Sequence, residues 1–254
     1  MCAPRECMKP IVIVPTYNEH DNIDALITDL LALPVGLNIV VVDDNSPDGT
    51  GRLADAWAAR EPRVQVVHRA GKLGLGTAYI AGFKRALAGD FERILTMDAD
   101  FSHHPRYIPP ILDRSRERDL VIGSRYVTGG GTLRCTWKRR ALSRGANWFA
   151  RIMLGLRAAD CTAGFRCYRR DALLSIDLDT IFSNGYSFLI EMLYRVQRGG
   201  WTVGEAPIVF EDRRFGASKI SRQEVYRAML TVVRLSASRL RDRVVRDRVV
   251  RDRV

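Results

Sequence analysis

The sequence predicts an α/β domain with a mostly parallel sheet and helices on both of its faces. Short apolar runs alternate with longer segments of helical periodicity along the first half of the chain, which is typical of consecutive strand–helix units. Polar residues follow each apolar run directly, where ligands bind in sheets of this kind. With 254 residues, 46% apolar and 27% charged, the chain is long enough to bury one such core.

The units follow one another in order. The predicted strands cover residues 11–14, 39–42, 64–67, 93–97 and 120–122. The helices predicted between them cover residues 21–33, 53–60 and 77–87, and a proline-punctuated stretch precedes the fifth strand.

The second half is predicted to be more irregular. Glycines 129–131 indicate a mobile loop, residues 137–153 and 188–198 two amphipathic helices, and residues 202–210 one or two further strands. Ser221 and Glu224 form a capping box that predicts the start of the last helix. From residue 241 the sequence repeats RDRVV, which favours a frayed basic helix. We expect an extension over residues 1–9, one domain over 10–235 and a basic tail over 236–254.

The net charge of +11 is concentrated at the C-terminal end. Residues 213–254 contain 13 Lys/Arg and 4 Asp/Glu, a net charge of +9, which leaves +2 for residues 1–212. A basic end of this kind fits an anionic membrane surface or a phosphate-bearing ligand, and it leaves nucleic acid open as a partner. No apolar run predicts a membrane helix or a secretory signal, so we expect a cytoplasmic protein. The five cysteines lack a CxxC pair, which predicts reduced, mostly buried thiols.

Two carboxylates after the fourth strand are the sharpest chemical signal. Asp98 and Asp100 are separated by one residue, so together they can hold a divalent cation and leave coordination positions for phosphates. An Asp-x-Asp pair alone is often only a solvated turn. Its position between an apolar strand and His103-His104 favours the metal site.

The second and third strands are followed by weaker signals. Asp43 and Asp44 point to opposite faces of a strand, so one is expected to reach a ligand and the other to brace the turn. An Asx turn explains the pair equally well. Residues 71–76 (GKLGLG) match neither the Walker pattern nor the dinucleotide fingerprint, and they predict a flexible loop whose Lys72 contacts either a phosphate or solvent.

Basic residues beyond the fourth strand are candidates for phosphate binding, because the arginine fork suits phosphate oxygens. They are Arg125, Lys138, Arg139, Arg140, Arg144, Arg213, Arg214 and Lys219. The alternative for several of them is solvation of helix surfaces. His68, His103 and His104 lack metal-ligand spacing, and we expect structural roles for them.

Taken together, these motifs resemble the family-2 glycosyltransferases of the GT-A fold, and within them the polyprenol (dolichol) phosphate mannose synthases. The resemblance covers about residues 10–235. It rests on the segments VPTYNE (14–19), VVDDNSPDGT (41–50), GKLGLGTAY (71–79), MDADFSHHP (97–105), GSRY (123–126), KRRALSRGAN (138–147), DCTAGFR (160–166) and FGASK (215–219).

The resemblance implies transfer of mannose, with inversion, from GDP-mannose to a polyprenyl phosphate with the help of Mg²⁺ or Mn²⁺. Guanosine contacts are implied for Pro15, Tyr17, Glu19, Val42 and Asp44. Contacts to ribose, diphosphate and metal are implied for Asp98, Ala99 and Asp100, with Asp100 as the principal metal ligand. Ser102, which stands where some relatives have a metal-binding glutamine, is the third expected metal ligand. Contacts to the diphosphate or the acceptor phosphate are implied for Arg125, Arg139, Arg213 and Lys219.

The implied reaction needs positioning and charge more than a base. A phosphate monoester is already anionic at neutral pH, so it attacks without deprotonation. Catalytic contributions are expected from Asp98, Asp100 and Arg125, and Asp98 or Asp160 is a candidate to stabilise oxocarbenium character at the sugar. We expect the protein to work on the cytosolic face of a membrane, with its basic C-terminal segment near anionic lipid. The sequence leaves open whether a small membrane-anchoring subunit is a partner.

Three alternatives remain at this point. The same scaffold can transfer glucose from UDP-glucose to a polyprenyl phosphate. A nucleic-acid-binding protein is disfavoured, because acidic strand ends repel a phosphate backbone and no recognition motif appears. A non-catalytic, partner-binding homologue is disfavoured by the intact Asp98 and Asp100.

Overall fold

The computed structural model describes residues 8–133, 136–211, 226 and 228–237, and only the backbone of residues 138, 139 and 186. Seven strands form the main sheet: β1 (Pro10–Thr16), β2 (Asn38–Asp43), β3 (Val64–His68), β4 (Arg93–Thr96), β5 (Leu120–Ser124), β7 (Arg166–Arg169) and β8 (Val203–Pro207). Their order is β3-β2-β1-β4-β7-β5-β8, and only β7 runs antiparallel to its neighbours. Two short strands, β6 (Gly131–Leu133) and β9 (Val209–Glu211), pair in parallel beside it.

Helices cover both faces of the sheet. They are α1 (His20–Leu31), α2 (Thr50–Arg60), α3 (Leu75–Leu87), α4 (Ile108–Arg114), α5 (Trp137–Leu154), α6 (Arg170–Leu174), α7 (Tyr186–Arg198) and α8 (228–237), with short 3₁₀ turns at Pro105–Tyr107 and Leu178–Thr180. The alternation of side chains along β1 sends Ile11 and Ile13 into one apolar cluster and Val12 and Val14 into the other. The sheet therefore separates two buried cores.

The predicted fold class is confirmed, and so are the predicted strand–helix units. Residues 202–210 form two strands, β8 and β9, and Gly131 lies in β6 instead of a loop. β7 is not among the predicted strands. Its four residues, RCYR, begin and end with arginine, so they lack the apolar run that marked the other strands.

The antiparallel direction of β7 matters for function. β7 lies between β4 and β5 and enters the sheet at the edge where those two strands end. Residues 160–165, which precede it, are thereby brought to the same edge as the loops after β1, β2, β4 and β5. At that edge the Thr96 hydroxyl donates a hydrogen bond to the Gly164 carbonyl oxygen at 2.7 Å.

Several expectations lie outside the described residues: the RDRVV tail, the capping box at Ser221, and Cys2, Cys7 and Cys135. Cys161 and Cys167 are buried and free, as expected, and burial raises the pKa of both thiols to about 12. None of the described helices is long and apolar enough to cross a bilayer. The domain boundaries at residues 10 and 235 remain predictions.

Candidate active site at the carboxyl edge of the sheet

The loops after β1 and β2 are tied together at the carboxyl edge. The backbone N–H of Asn18 donates to the Ser46 hydroxyl at 3.1 Å, and that of Glu19 donates to the Thr50 hydroxyl at 2.9 Å. Asn18 and Asn45 both have a left-handed backbone, with φ of 58° and 57°. Asparagine tolerates this conformation better than most residues, so both loops can turn sharply away from the strand ends.

Asp43 and Asp44 have different surroundings, and the expectation that one of them reaches a ligand stays a prediction. Asp43 braces the turn, because its carboxylate accepts hydrogen bonds from the Thr16 hydroxyl at 3.0 Å and from the Ser46 N–H and hydroxyl at 3.0 and 2.6 Å. Asp44 is buried beside Arg69, with 3.0 Å between the carboxylate oxygen and Nη1. Burial raises the pKa of Asp44 above its ordinary value, and the Arg69 charge opposes that shift.

Lys72 has a partner that neither sequence-based alternative included. Its ammonium nitrogen lies 4.4 Å from the centroid of the Tyr17 ring, in a cation–π contact. Tyr17 is one of the residues with an implied guanosine contact. Through Lys72, the GKLGLG loop therefore contacts the loop that follows β1.

The loop after β4 carries the two carboxylates on a strained turn. Phe101, between Asp100 and Ser102, has a φ of 58°, which is rare for a bulky residue. The turn lets the Ser102 N–H donate to Asp100 Oδ1 at 3.1 Å. Ser102 is buried, and its hydroxyl oxygen has no hydrogen-bond partner among the described residues. Strain of this kind persists where the surrounding structure enforces it, often at functional sites.

Asp98 is held by two buried side chains. The Tyr79 hydroxyl donates to Asp98 Oδ1 at 3.2 Å, and the Asp98 backbone N–H donates to His103 Nδ1 at 3.3 Å. Burial, together with the charge of Asp98, raises the pKa of Tyr79 well above its ordinary value, so the phenol stays protonated. Burial lowers the pKa of His103, although the nearby Asp98 and Asp100 oppose that shift. His103 is therefore neutral at pH 7, in line with its expected structural role.

Arg125 and Asp160 form a buried, two-pronged ion pair. Nε and Nη2 of Arg125 donate to the two carboxylate oxygens at 2.7 and 2.8 Å, and the Arg125 backbone N–H adds a third bond at 3.1 Å. Burial by itself would raise the pKa of Asp160, but the hydrogen bonds and charge of Arg125 outweigh it and hold that pKa below its ordinary value. The Asp160 side chain has no exposed surface. Its carboxylate contacts Arg125 and the Thr162 hydroxyl, and a role of Asp160 in stabilising charge at the sugar stays a prediction.

The loop that carries Asp160 is fixed from three sides. Glu205 on β8 accepts from the Asp160 N–H at 3.0 Å, and Asn147 on α5 accepts from the Cys161 N–H at 2.6 Å. The fully buried guanidinium of Arg166 donates to the carbonyl oxygens of Cys161 and Ala163, both at 2.8 Å. This loop and its ion pair are consequently preorganised.

The residues after β4 suit a hard divalent cation. The described residues contain no cluster of three His, Cys, Asp or Glu side chains with the arrangement of a metal site. They do provide the carboxylates of Asp98 and Asp100 and the partnerless buried hydroxyl of Ser102. Oxygen donors of this kind, with room left for phosphate and water, are what Mg²⁺ and Mn²⁺ prefer.

The structure brings most of the predicted residues to this edge. Val42 is fully buried in one of the two apolar clusters, so its side chain has no exposed surface. The Arg139 side chain, Arg213 and Lys219 lie outside the described residues. Sequence reasoning missed several residues that hold the site in place: Arg69, Tyr79, Asn147, Arg166 and Glu205. Tyr79, Asn147 and Arg166 did stand inside quoted motifs, but only their contacts show what they do.

Known proteins are similar to this chain in sequence. The family description "Glycosyl transferase family 2" matches residues 11–176. An undecaprenyl-phosphate mannosyltransferase of Micrococcus luteus is 44% identical over 227 residues, 89% of this chain and 93% of that protein. A polyprenol monophosphomannose synthase of Mycolicibacterium smegmatis is 44% identical over 230 residues, 90% of this chain and 87% of that protein.

Solved structures support the fold. Glucosyl-3-phosphoglycerate synthase of Mycobacterium tuberculosis, solved with Mn²⁺, UDP and glucosyl-3-phosphoglycerate, matches with a TM-score of 0.66 and 18% identity, over 91% of this chain and 80% of that one. The same protein solved with Mg²⁺ and UDP matches with a TM-score of 0.65, at 18% identity and the same coverage. The expectation of a GT-A-like fold is confirmed.

Proposed function

The chain belongs to glycosyl transferase family 2, and from that membership we propose that it transfers mannose from GDP-mannose to a polyprenyl monophosphate. The observation that carries the proposal is the geometry at the carboxyl edge of the sheet. Asp98 and Asp100 follow β4 on one strained turn, where Tyr79 donates to Asp98 at 3.2 Å, and the guanidinium of Arg125 after β5 is fixed by Asp160 at 2.7 and 2.8 Å. The names of the two relatives at 44% identity support mannose and a polyprenyl phosphate as the transferred group and the acceptor.

The chain's own residues account for binding and orientation of the donor. Asp44 and Tyr17 lie where a nucleobase is expected, and Asp44 can accept hydrogen bonds from base N–H groups. Asp98, Asp100 and Ser102 would hold Mg²⁺ or Mn²⁺. Such an ion, when bound, supplies positive charge to the departing diphosphate.

The acceptor side needs fixed positive charge. The phosphate of a polyprenyl monophosphate is anionic at neutral pH, so no residue has to remove a proton before attack. Asp160 holds the guanidinium of Arg125 in one orientation. A fixed positive charge of this kind suits electrostatic stabilisation of the attacking phosphate and the departing diphosphate. Arg139, Arg213 and Lys219 are proposed to add to it. Since the acceptor is a lipid, peripheral contact with a membrane surface is part of the proposal.

A donor competition tests this proposal. Purified protein is given polyprenyl phosphate, Mg²⁺ or Mn²⁺, and equal concentrations of GDP-mannose and UDP-glucose with different labels. The proposal predicts that mannose dominates in the lipid product. Predominant glucose transfer would agree with the glycosyltransferase family but show that GDP-mannose is the wrong donor. Labelled product that contains no lipid phosphate would show that polyprenyl phosphate is the wrong acceptor.

A further inference from the structure

Most of the large apolar side chains exposed in the described part of the chain lie on two neighbouring helices. They belong to α5, to α8 and to Tyr226 just before α8: Trp137, Leu142, Trp148, Ile152, Met153, Tyr226, Met229, Leu230 and Val233. Single exposed apolar residues are ordinary on protein surfaces, whereas a group of them marks an interaction site.

Helix α5 has two apolar faces. Its inner face is buried against the core through Ala150 and Leu154. Trp137, Trp148 and Ile152 are spaced by eleven and four residues, which at 100° per residue places them on one stripe. They are exposed by 70%, 66% and 58%. Most of the surface of Trp148 and Ile152 is therefore not used in packing α5 onto the domain.

Helix α8 repeats the arrangement. Val232 and Leu235 are buried in the same cluster as Ala150 of α5, while Met229 and Val233 are exposed on the outside. The Ser236 hydroxyl donates to the Met153 carbonyl oxygen at 3.1 Å. This bond holds α8 beside the C-terminal end of α5, where Ile152 is exposed.

Positive charge runs along the apolar stripe. The α5 sequence contains five Lys/Arg and no Asp/Glu. Among them, Arg140, Arg144 and Arg151 are exposed and spaced by four and seven residues, so they line one flank of the stripe. Apolar residues that include tryptophan, bordered by arginine, are characteristic of helices that lie in a bilayer interface.

We propose that the outer stripes of α5 and α8 are a docking face for an anionic lipid bilayer. Trp148, Ile152 and Val233 enter the boundary between headgroups and acyl chains, and the arginines contact lipid phosphates. This inference rests on the proposed function, because a polyprenyl phosphate lies in a membrane. A second copy of the chain fits less well as the occupant, since a two-fold pairing of the stripe would bring two arginine-rich flanks close together.

Co-sedimentation with vesicles tests the docking face. The full chain is mixed with vesicles of phosphatidylcholine containing about one third phosphatidylglycerol, which supplies the anionic surface. Trp148→Ser and Ile152→Ser are compared with Leu174→Ser, a matched control on α6 whose exposure of 57% equals that of Ile152 within 1%. Because all three side chains are exposed, the variants are expected to fold like the wild type, and thermal unfolding checks this.

We expect vesicle binding at least about tenfold weaker for Trp148→Ser, and weaker also for Ile152→Ser, with Leu174→Ser unchanged. Equal binding by all four proteins, or no binding by the wild type, would overturn the docking face. Self-association that Trp148→Ser abolishes, without vesicle binding, would overturn it too and make the face a contact between copies.

A second readout separates this inference from the proposed function. With a short, water-soluble polyprenyl phosphate and no vesicles, Trp148→Ser is expected to transfer mannose at the wild-type rate. With a long-chain acceptor in vesicles, its rate is expected to fall. If the wild type transfers no mannose to the short acceptor, the proposed function fails, whereas the vesicle-binding result still decides the docking face.

Discussion

Replacement of Asp160 by asparagine tests the preorganised acceptor side. Asp160 accepts three hydrogen bonds from Arg125, two of them from the guanidinium at 2.7 and 2.8 Å. Asparagine keeps the shape of the side chain, but its NH₂ group replaces one carboxylate oxygen and faces an N–H of the Arg125 guanidinium. The substitution also removes the negative charge that balances Arg125. Breaking a buried ion pair from one side costs about 3–5 kcal/mol. Because Arg125 retains 15% exposure, water offsets part of this loss, and we expect Asp160→Asn to cost about 3 kcal/mol.

Urea denaturation at neutral pH measures this cost. The matched control is Glu61→Gln, since Glu61 also holds an arginine, Arg63, through two bonds of 3.1 Å but on the surface. We expect a much smaller change for Glu61→Gln, because exposed ion pairs contribute little. A double-mutant cycle with Arg125→Met isolates the pairwise coupling. The reasoning is refuted if Asp160→Asn unfolds at the same urea concentration as Glu61→Gln.

The stability difference between wild type and Asp160→Asn should depend on pH in a defined direction. The folded-state pKa of Asp160 is lowered, so its contribution is complete above the unfolded value of about 3.9 and is lost as the pH falls through the lower folded value. The difference in stability between wild type and Asp160→Asn should therefore be constant near neutral pH and shrink in acid. A difference that grows in acid would contradict the assignment.

Three further predictions concern the donor side. Ser102→Ala should leave the free energy of unfolding unchanged or raise it, because the buried hydroxyl has no partner among the described residues. The same change should raise the Mn²⁺ concentration that gives half-maximal transfer. An unchanged metal dependence would exclude Ser102 from the metal site. Tyr79→Phe removes the 3.2 Å bond to Asp98 and should weaken apparent metal affinity about tenfold while kcat at saturating metal changes little, as a metal titration of initial rates would show. Protonation of Asp44, whose pKa is raised, should increase the KM for GDP-mannose as the pH falls toward that pKa, and Asp44→Asn should have a high KM without this rise.

The sequence was sufficient for the parts of the fold that depend on local pattern. Apolar runs such as residues 39–42 are strands because they fill both cores, and Asp98 and Asp100 follow a strand, so the sheet carries them to its ligand-binding edge. β7 was not predicted because its strand conformation depends on pairing with β4 and β5 and not on its own composition. A four-residue strand with arginines at both ends has no local signal.

The contacts that hold the site escaped prediction for a related reason. The partners of Asp160 lie far from it in sequence: Arg125 is 35 residues away and Glu205 is 45. Sequence motifs placed Asp160 and Arg125 in the site but could not show that they pair. The pairing shows a contact that the sequence did not predict, in which Asp160 holds the guanidinium of Arg125.

The most direct test of the central claim is transfer of labelled mannose from GDP-mannose to a short polyprenyl phosphate. Wild type and Asp100→Ala are compared with Mg²⁺ or Mn²⁺ and with EDTA. We expect lipid-linked mannose from the wild type with metal, none with EDTA, and a loss of at least about a hundredfold in rate for Asp100→Ala. Transfer at the wild-type rate by Asp100→Ala, or equal rates with metal and with EDTA, would contradict it.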